Sequence, residues 1–177
     1  MHNLRFTYYP EKTLRMKASP VDFDGEPPED LLNLIEQMKD VCREKEGAGL
    51  SAQPVGLVLP VMVCGVPRGG GRYDLVGVIN PKIIDKSDDT LIREEGCLSF
   101  PGLYFPVERP RKIVAEGWFD DVKRRDKREL VGMAARIFCH ENDHINGILF
   151  IDRADKITRE RIKPQLKKIA QETMNRK

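Results

Sequence analysis

Apolar residues recur every three or four positions in two segments of this chain, a spacing typical of helices with one buried face. The first segment follows Pro27 and Pro28, which favour a helix start, and it ends within residues 44–49. Residues 129–146 form the second, with Gly147 as the expected C-cap, and they are apolar around most of the circumference. We therefore expect the second helix in the domain interior. The apolar face of the first helix comprises Leu31, Leu34, Ile35, Met38, Val41 and Cys42.

Shorter apolar runs lie between these two segments and predict strands. The three glycines at residues 69–71 predict a hairpin loop, and the charged stretch 120–128 predicts a turn. Several short strands beside one buried helix indicate an α+β domain in which short antiparallel strands and sheets pack around that helix. The predicted strands span residues 57–66, 75–84 (broken at Pro81), 92–98 and 113–119.

The two ends of the chain predict different structures. We expect residues 1–20 to be extended or coiled, because Pro10 and Pro20 interrupt regular secondary structure. Thr158 is a suitable cap for a last helix, and Pro164 must kink that helix or delay its start. We expect one domain over residues 1–177 that ends in a basic helix at 156–177.

Composition and charge limit the classes of protein to which this chain can belong. Forty per cent of the 177 residues are apolar, which is enough for a core, and no apolar run could cross a membrane. The N-terminus resembles neither a signal peptide nor a transit peptide, so we expect a cytoplasmic protein. The net charge is +2, but residues 153–177 hold nine Lys/Arg and three Asp/Glu, a net of +6 that leaves −4 on residues 1–152.

The basic C-terminal segment is open to two interpretations. It fits a solvated amphipathic helix, which is the simpler one, and it also fits a transient contact with the ribosome. We expect no sequence-specific binding to nucleic acid. Of the four cysteines, we expect Cys42, Cys64 and Cys139 to be small buried hydrophobic residues, and none belongs to a C-x-x-C pair.

Two sequence segments carry candidate metal chemistry. His140 and His144 in HENDH (residues 140–144) are four positions apart, so a helix places both imidazoles on one face. Cys97 in EGCLS (residues 95–99) would complete three protein ligands, with water in the fourth position. Such an ion lowers the pKa of water towards about 7. Glu141 is placed to act as general base and then acid.

The residues by themselves also allow other interpretations of these segments. A third ligand downstream, Glu160 or Asp155, would indicate a metalloendopeptidase. The site could instead stabilise a module that binds the ribosome or RNA, but a structural site normally has a fourth Cys or His. The two histidines could also be a hydrogen-bonded core pair, and Cys97 a buried structural thiol.

Three motifs in this order resemble those of the peptide deformylases: GAGLSA at residues 47–52, then EGCLS, then HENDH. Tyr9 and Pro10 near the start and NGILFID at residues 146–152 extend the resemblance over about residues 6–155. It implies a hydrolase that removes the formyl group from N-formylmethionine on newly made polypeptides and releases formate.

The resemblance also implies roles for individual residues. Cys97, His140 and His144 bind one divalent ion, Fe²⁺ in the cell and Zn²⁺ or Ni²⁺ in purified protein, and Glu141 moves the proton. The Leu98 backbone N–H helps to hold the oxyanion, and Gly49 contributes main-chain contacts to the substrate. Leu50, Ile137 and Phe100 are candidates for the methionine pocket, although core packing explains Ile137 equally well.

One position departs from the family pattern. The glutamine that usually helps to hold the oxyanion is replaced by Pro54, and Gln53 comes one residue early. A β-bulge could bring Gln53 round, another donor could replace it, or the site could lack one donor; we expect the bulge. By the same resemblance, we expect a buried ion pair between Asp143 and Arg109 that positions the helix.

Overall fold

The computed structural model describes residues 4–70 and 72–175. The fold is α+β, as predicted, and ends in a helix. The helices are α1 (Glu29–Glu44), α2 (Met133–Ile145) and α3 (Lys156–Asn175). The strands are β1 (Gly49–Ser51), β2 (Val61–Gly69), β3 (Arg72–Lys86), β4 (Thr90–Gly96), β5 (Tyr104–Pro110), β6 (Lys112–Phe119) and β7 (Arg124–Val131).

A five-stranded antiparallel sheet separates α1 from α2. Its strand order is β1-β2-β3-β6-β7. Side chains alternate along β2, so that Met62 and Cys64 belong to the core around α2 whereas Val61 and Val63 belong to the core around α1. The helix with the two histidines is therefore buried against one face of the sheet, as its apolar circumference predicts.

A second sheet and a third core lie beside this sandwich. Strands β4 and β5 pair with each other in a separate two-stranded sheet. Phe105 of β5, Phe150 and Leu14 pack there with the apolar residues Ile162 and Ile169 of α3. Helix α3 is therefore part of the folded domain. No helix in the described part of the chain has the length and apolarity needed to span a membrane.

The prediction for residues 120–146 was partly wrong. The charged segment 124–131 is strand β7, and α2 begins only at Met133. This strand is at the edge of the sheet and pairs with β6 alone, so alternate side chains stay in solvent. Arg128 covers the Phe119 ring at 4.0 Å from its centroid, which shows how a charged strand can still shield the core.

Other boundaries differ for local reasons. Strand β3 continues through Pro81 because a register shift between Ile79 and Lys82 leaves the proline outside regular pairing. Strand β2 starts at Val61 rather than residue 57, and β1 and β5 were not predicted. The predicted hairpin lies between β2 and β3, where Gly69 and Gly70 have positive φ, while residue 71 lies outside the described part.

The ends of the chain follow the prediction only in part. Residues 12–15 form a 3₁₀ turn within the otherwise irregular N-terminal segment, of which residues 1–3 lie outside the described part. Helix α3 runs continuously past Pro164. Its cap is the Asp155 carboxylate, which accepts a hydrogen bond of 2.6 Å from the Thr158 backbone N–H, so Thr158 is not the cap.

Candidate metal centre

Three predicted ligands meet where β4 ends against α2. Cys97 follows the last residue of β4, and His140 and His144 are one turn apart on α2. Their ligand atoms all lie within 4.8 Å of one another, and Cys97 Sγ is 3.3 Å from His144 Nε2. Long-range pairing between the sheet and the helix thus unites residues that are more than 40 positions apart.

The donor set and its geometry fit a small divalent ion. Bonds of about 2.3 Å to sulfur and about 2.0–2.1 Å to nitrogen in a tetrahedral site place two such donors about 3.5 Å apart. The observed separation between Cys97 Sγ and His144 Nε2 is close to that value. Burial holds the pKa of His144 well below its usual value, so this imidazole stays neutral and can offer a lone pair.

Glu141 lies beside the first histidine and is held by strand β1. Its carboxylate is buried and accepts a hydrogen bond of 2.9 Å from the Ser51 hydroxyl. Burial raises the pKa of Glu141, and the Ser51 contact acts in the opposite direction. A carboxyl with a raised pKa can take up a proton and pass it on. Sequence reasoning missed Ser51, although it lies within the first motif.

Gly49 allows β1 to approach the helix closely. A Cβ atom at this position would lie 2.9 Å from Glu141 Oε1 and 2.9 Å from Ile137 Cγ2. Only glycine therefore permits this packing without displacing the general-base candidate.

Glu95 supports the metal centre from behind His140. His140 Nδ1 is 3.1 Å from Glu95 Oε2, and Arg109 donates to both carboxylate oxygens at 3.1 and 3.0 Å. Burial alone would raise the pKa of Glu95, but the hydrogen bonds from His140 and Arg109 lower it to about 2. The ionised carboxylate must accept from the ring, which leaves His140 Nε2 free to bind metal.

A chain of ion pairs extends from Glu95 along the helix. Arg109 also pairs with Asp143, which confirms the predicted buried contact. Arg153 donates to Asp143 at 2.5 and 3.0 Å, and Arg136 donates to Glu95 at 2.5 Å. Glu95, Arg136 and Arg153 were not predicted. A single arginine inside an apolar helix is the signal that could have revealed Arg136.

A cavity of about 380 Å³ opens over the three ligands. Glu141 and the predicted contact residues Gly49, Leu50, Leu98 and Ile137 all line it. Phe100 does not belong to this lining; it is buried in the third core, where its ring packs on Phe150.

The structure does not bring Gln53 into this cavity. Residues 53–55 form a 3₁₀ turn after β1 instead of the expected β-bulge, and Pro54 lines the cavity. Gln53 is fully buried, and its Nε2 donates to the Met16 carbonyl at 3.4 Å. The tight turn directs this side chain to the N-terminal segment, so the bulge prediction is corrected and the geometry does not support Gln53 as an oxyanion donor.

The two acidic residues that a metalloendopeptidase would use as a third ligand, Asp155 and Glu160, make contacts away from the histidines. Asp155 caps α3, and Glu160 pairs with Lys163 at 2.6 Å on the surface of that helix. Neither belongs to the ligand cluster found among the described residues.

Sequence comparison relates the chain to known proteins. A family profile described as polypeptide deformylase matches residues 3–160. The peptide deformylase of Helicobacter pylori (strain Shi470) is 36% identical, with 94% of each chain covered. That of Thermotoga maritima is 37% identical and covers 94% of this chain and 96% of its own. Peptide deformylase 1B, chloroplastic/mitochondrial, of Arabidopsis thaliana is 40% identical to this chain. The matched region covers 85% of this chain but only 54% of that relative.

Solved structures agree with this result. A plant peptide deformylase superposes with a TM-score of 0.88 at 35% identity and covers 99% of this chain and 94% of its own. The peptide deformylase of Ehrlichia chaffeensis gives a TM-score of 0.82 at 28% identity, with 93% and 95% covered.

Proposed function

The chain belongs to the polypeptide deformylase family, and on that premise we propose how its own residues remove the formyl group from N-formylmethionine on newly made polypeptides. The observation that carries the proposal is the meeting of Cys97, His140 and His144 beside a buried carboxylate. The reaction releases formate and leaves a free methionine amino group.

These three residues hold one divalent ion, and Fe²⁺ is the native one in this proposal. When bound, the ion lowers the pKa of a water molecule and polarises the formyl carbonyl. Cys97 must stay a reduced thiolate to bind it, so the protein works in a reducing compartment such as the cytoplasm. Zn²⁺ or Ni²⁺ takes its place in purified protein.

Glu141 moves the proton in this reaction. Its carboxylate takes a proton from the attacking water and later gives it to the leaving amine nitrogen. The hydroxyl of Ser51 orients the carboxylate at 2.9 Å.

The walls of the cavity bind and orient the substrate. The Leu98 backbone N–H donates to the formyl oxygen as negative charge develops there. Gly49 offers main-chain hydrogen bonds to the peptide, while Leu50 and Ile137 contact the methionine side chain. Pro54 has no N–H and Gln53 lies outside the cavity lining, so this site works without a glutamine amide at that place.

The natural partners of the site are nascent polypeptides with a formylated first methionine. We also assign α3 a transient contact with the ribosome, because this helix exposes six Lys/Arg and only two Asp/Glu.

Formate release and bound metal, measured on protein purified without oxygen, test the proposal. Formyl-Met-Ala-Ser should yield formate and casein should not be cleaved. Glu141→Gln should keep the metal and lose about 10²–10⁴ in turnover, whereas Cys97→Ser should lose metal as well. Cleavage of casein without formate release, or undiminished metal binding by Cys97→Ser, would refute the assignment.

A further inference from the structure

Arg136 is a buried cation on α2 that the proposed reaction does not use. It lies one helical turn before His140 and is 4% exposed. Since an unpaired buried charge is strongly destabilising, the partners of its guanidinium indicate what the residue does.

The guanidinium joins α2 to both strands of the small sheet. Nη1 donates to the Val107 carbonyl of β5 at 2.9 Å, and Nη2 donates to the Leu91 carbonyl of β4. Strand β4 leads directly to Cys97. Arg136 thus links the helix that carries two ligands to the sheet that carries the third.

The same side chain also holds the carboxylate behind His140. Arg136 Nη1 donates to Glu95 Oε1 at 2.5 Å, while His140 Nδ1 contacts Oε2 at 3.1 Å. Two residues one turn apart on α2 therefore grip one oxygen each of a single carboxylate. Arg109 also contacts both oxygens, but its guanidinium is shared with Asp143.

We infer that Arg136 is a positioning residue for the metal centre: it holds Glu95 so that His140 keeps Nε2 directed at the ion. The inference rests on the proposed function, because it assumes that Cys97, His140 and His144 bind a metal. Outer groups that orient a histidine ligand typically contribute about 10–100-fold to metal affinity. The loss of Arg136 should therefore act on metal retention more than on substrate binding.

The rate at which Zn²⁺ leaves the loaded protein, measured with a chromogenic chelator in excess, tests this. Arg136→Met should release Zn²⁺ about 10-fold faster or more than the unmodified protein. Arg136→Lys retains a cation near Glu95 but cannot also reach both carbonyl groups, so its rate should lie between the two. If Arg136→Met does not fold, Arg136→Lys is tested alone. It should release Zn²⁺ at least about three-fold faster than the unmodified protein.

Arg153→Met is the matched control. Arg153 belongs to the same network of ion pairs but contacts Asp143 and not Glu95. Its replacement should leave the rate of Zn²⁺ release within about two-fold, even if it lowers thermal stability by as much as Arg136→Met does. In the Zn²⁺-loaded protein, the NMR signal of the His140 Nδ1 proton should exchange faster with water in Arg136→Met only.

The outcomes separate this inference from the proposed function. Failure of the unmodified protein to bind Zn²⁺ would refute both. Normal Zn²⁺ binding with equal release from the unmodified protein and Arg136→Met, or from Arg136→Met and Arg153→Met, would refute the role of Arg136 alone.

Discussion

At the residue scale, Glu141 shows how two opposing effects prepare one carboxyl group. Burial disfavours its charged form and raises its pKa, while the Ser51 hydroxyl favours the charged form and lowers it. The result is a carboxylate that gains a proton more readily than one in water. A group that must accept and then return a proton within one reaction needs this intermediate affinity.

Gln53 provides a contrasting residue-scale prediction. Because its amide contacts the Met16 carbonyl outside the cavity lining, Gln53→Ala should leave turnover of a formyl-Met peptide within about two-fold. It should lower the free energy of unfolding by about 1–3 kcal/mol, the usual cost of removing a buried hydrogen-bonding group. Steady-state formate release and urea unfolding measure the two effects.

A loss of 10²-fold or more in turnover for Gln53→Ala would show that the side chain reaches the substrate after all. Glu141→Gln serves as the reference for such a loss, since general acid–base groups contribute about 10²–10⁴-fold.

The candidate site was predictable where its chemistry depends on local spacing. His140, Glu141 and His144 follow from helix periodicity, and Cys97 from the motif that precedes them along the chain. The contacts of Glu95 with Arg109 and Arg136 join positions 14 and 41 residues apart, and no local spacing reveals them. The β-bulge expected at Gln53 was wrong for a related reason, because residues 53–55 fold into a 3₁₀ turn that no local spacing reveals.

At the element scale, the packing of β1 against α2 determines the position of Glu141. Gly49→Ala would place a methyl group 2.9 Å from both Glu141 Oε1 and Ile137 Cγ2, so the strand or the carboxylate must move. A shift of about 1 Å in a catalytic group can cost about 10²-fold in rate. We expect turnover to fall by that order while the protein remains folded, as formate release and circular dichroism would show.

Gly70→Ala is the control for this change. Gly70 has a positive φ (+60°), so alanine is strained there, but no described residue beyond its chain neighbours comes within 4 Å of an added Cβ, and Gly70 does not line the cavity. Equal loss of turnover in both variants would mean that a general effect of replacing a glycine, and not contact with Glu141, causes the loss.

Helix α3 combines a buried apolar side with an exposed basic one. Its deletion would remove Ile162 and Ile169 from the third core, so a test of ribosome contact must leave the helix in place. Arg161→Glu with Lys167→Glu should weaken co-sedimentation with ribosomes at low salt, with turnover on small peptides unchanged. The same reversal at Lys82 and Lys86 on β3 should have no effect, and equal binding by both double variants would contradict the assignment to α3.

Elements that bury an apolar face were predicted, whereas β5 and β7, which depend on pairing at a sheet edge, were not. The periodicity of α1 and the apolar circumference of α2 reflect burial, because the spacing of apolar residues indicates which faces of a helix are buried. Strand β7 begins with six consecutive charged residues at a sheet edge, and pairing with β6 stabilises it as a strand although its composition does not predict one. Strand β5 begins at the exposed Tyr104 and contains Pro106, so its sequence resembles a loop until pairing with β4 is known.

At the scale of the whole molecule, a bound ion would add a further link between parts of the chain that packing and the ion pairs of Glu95 already hold together. Cys97 follows the two-stranded sheet, whereas both histidines belong to the helix buried against the larger sheet. Because metal binds the folded chain and not the dispersed ligands, loading should stabilise the fold. At a free metal concentration of about 100 times Kd, the expected gain is about 2.7 kcal/mol.

For a domain of this size, that gain corresponds to a rise of about 5–10 °C in Tm. Thermal unfolding of the chelated protein, titrated with Zn²⁺, should show Tm rising with the logarithm of metal concentration. Cys97→Ser should show a much smaller rise, because two histidines from one helix cannot link it to the sheet. A Tm that does not respond to metal in the unmodified protein would mean that the three ligands do not act as one site.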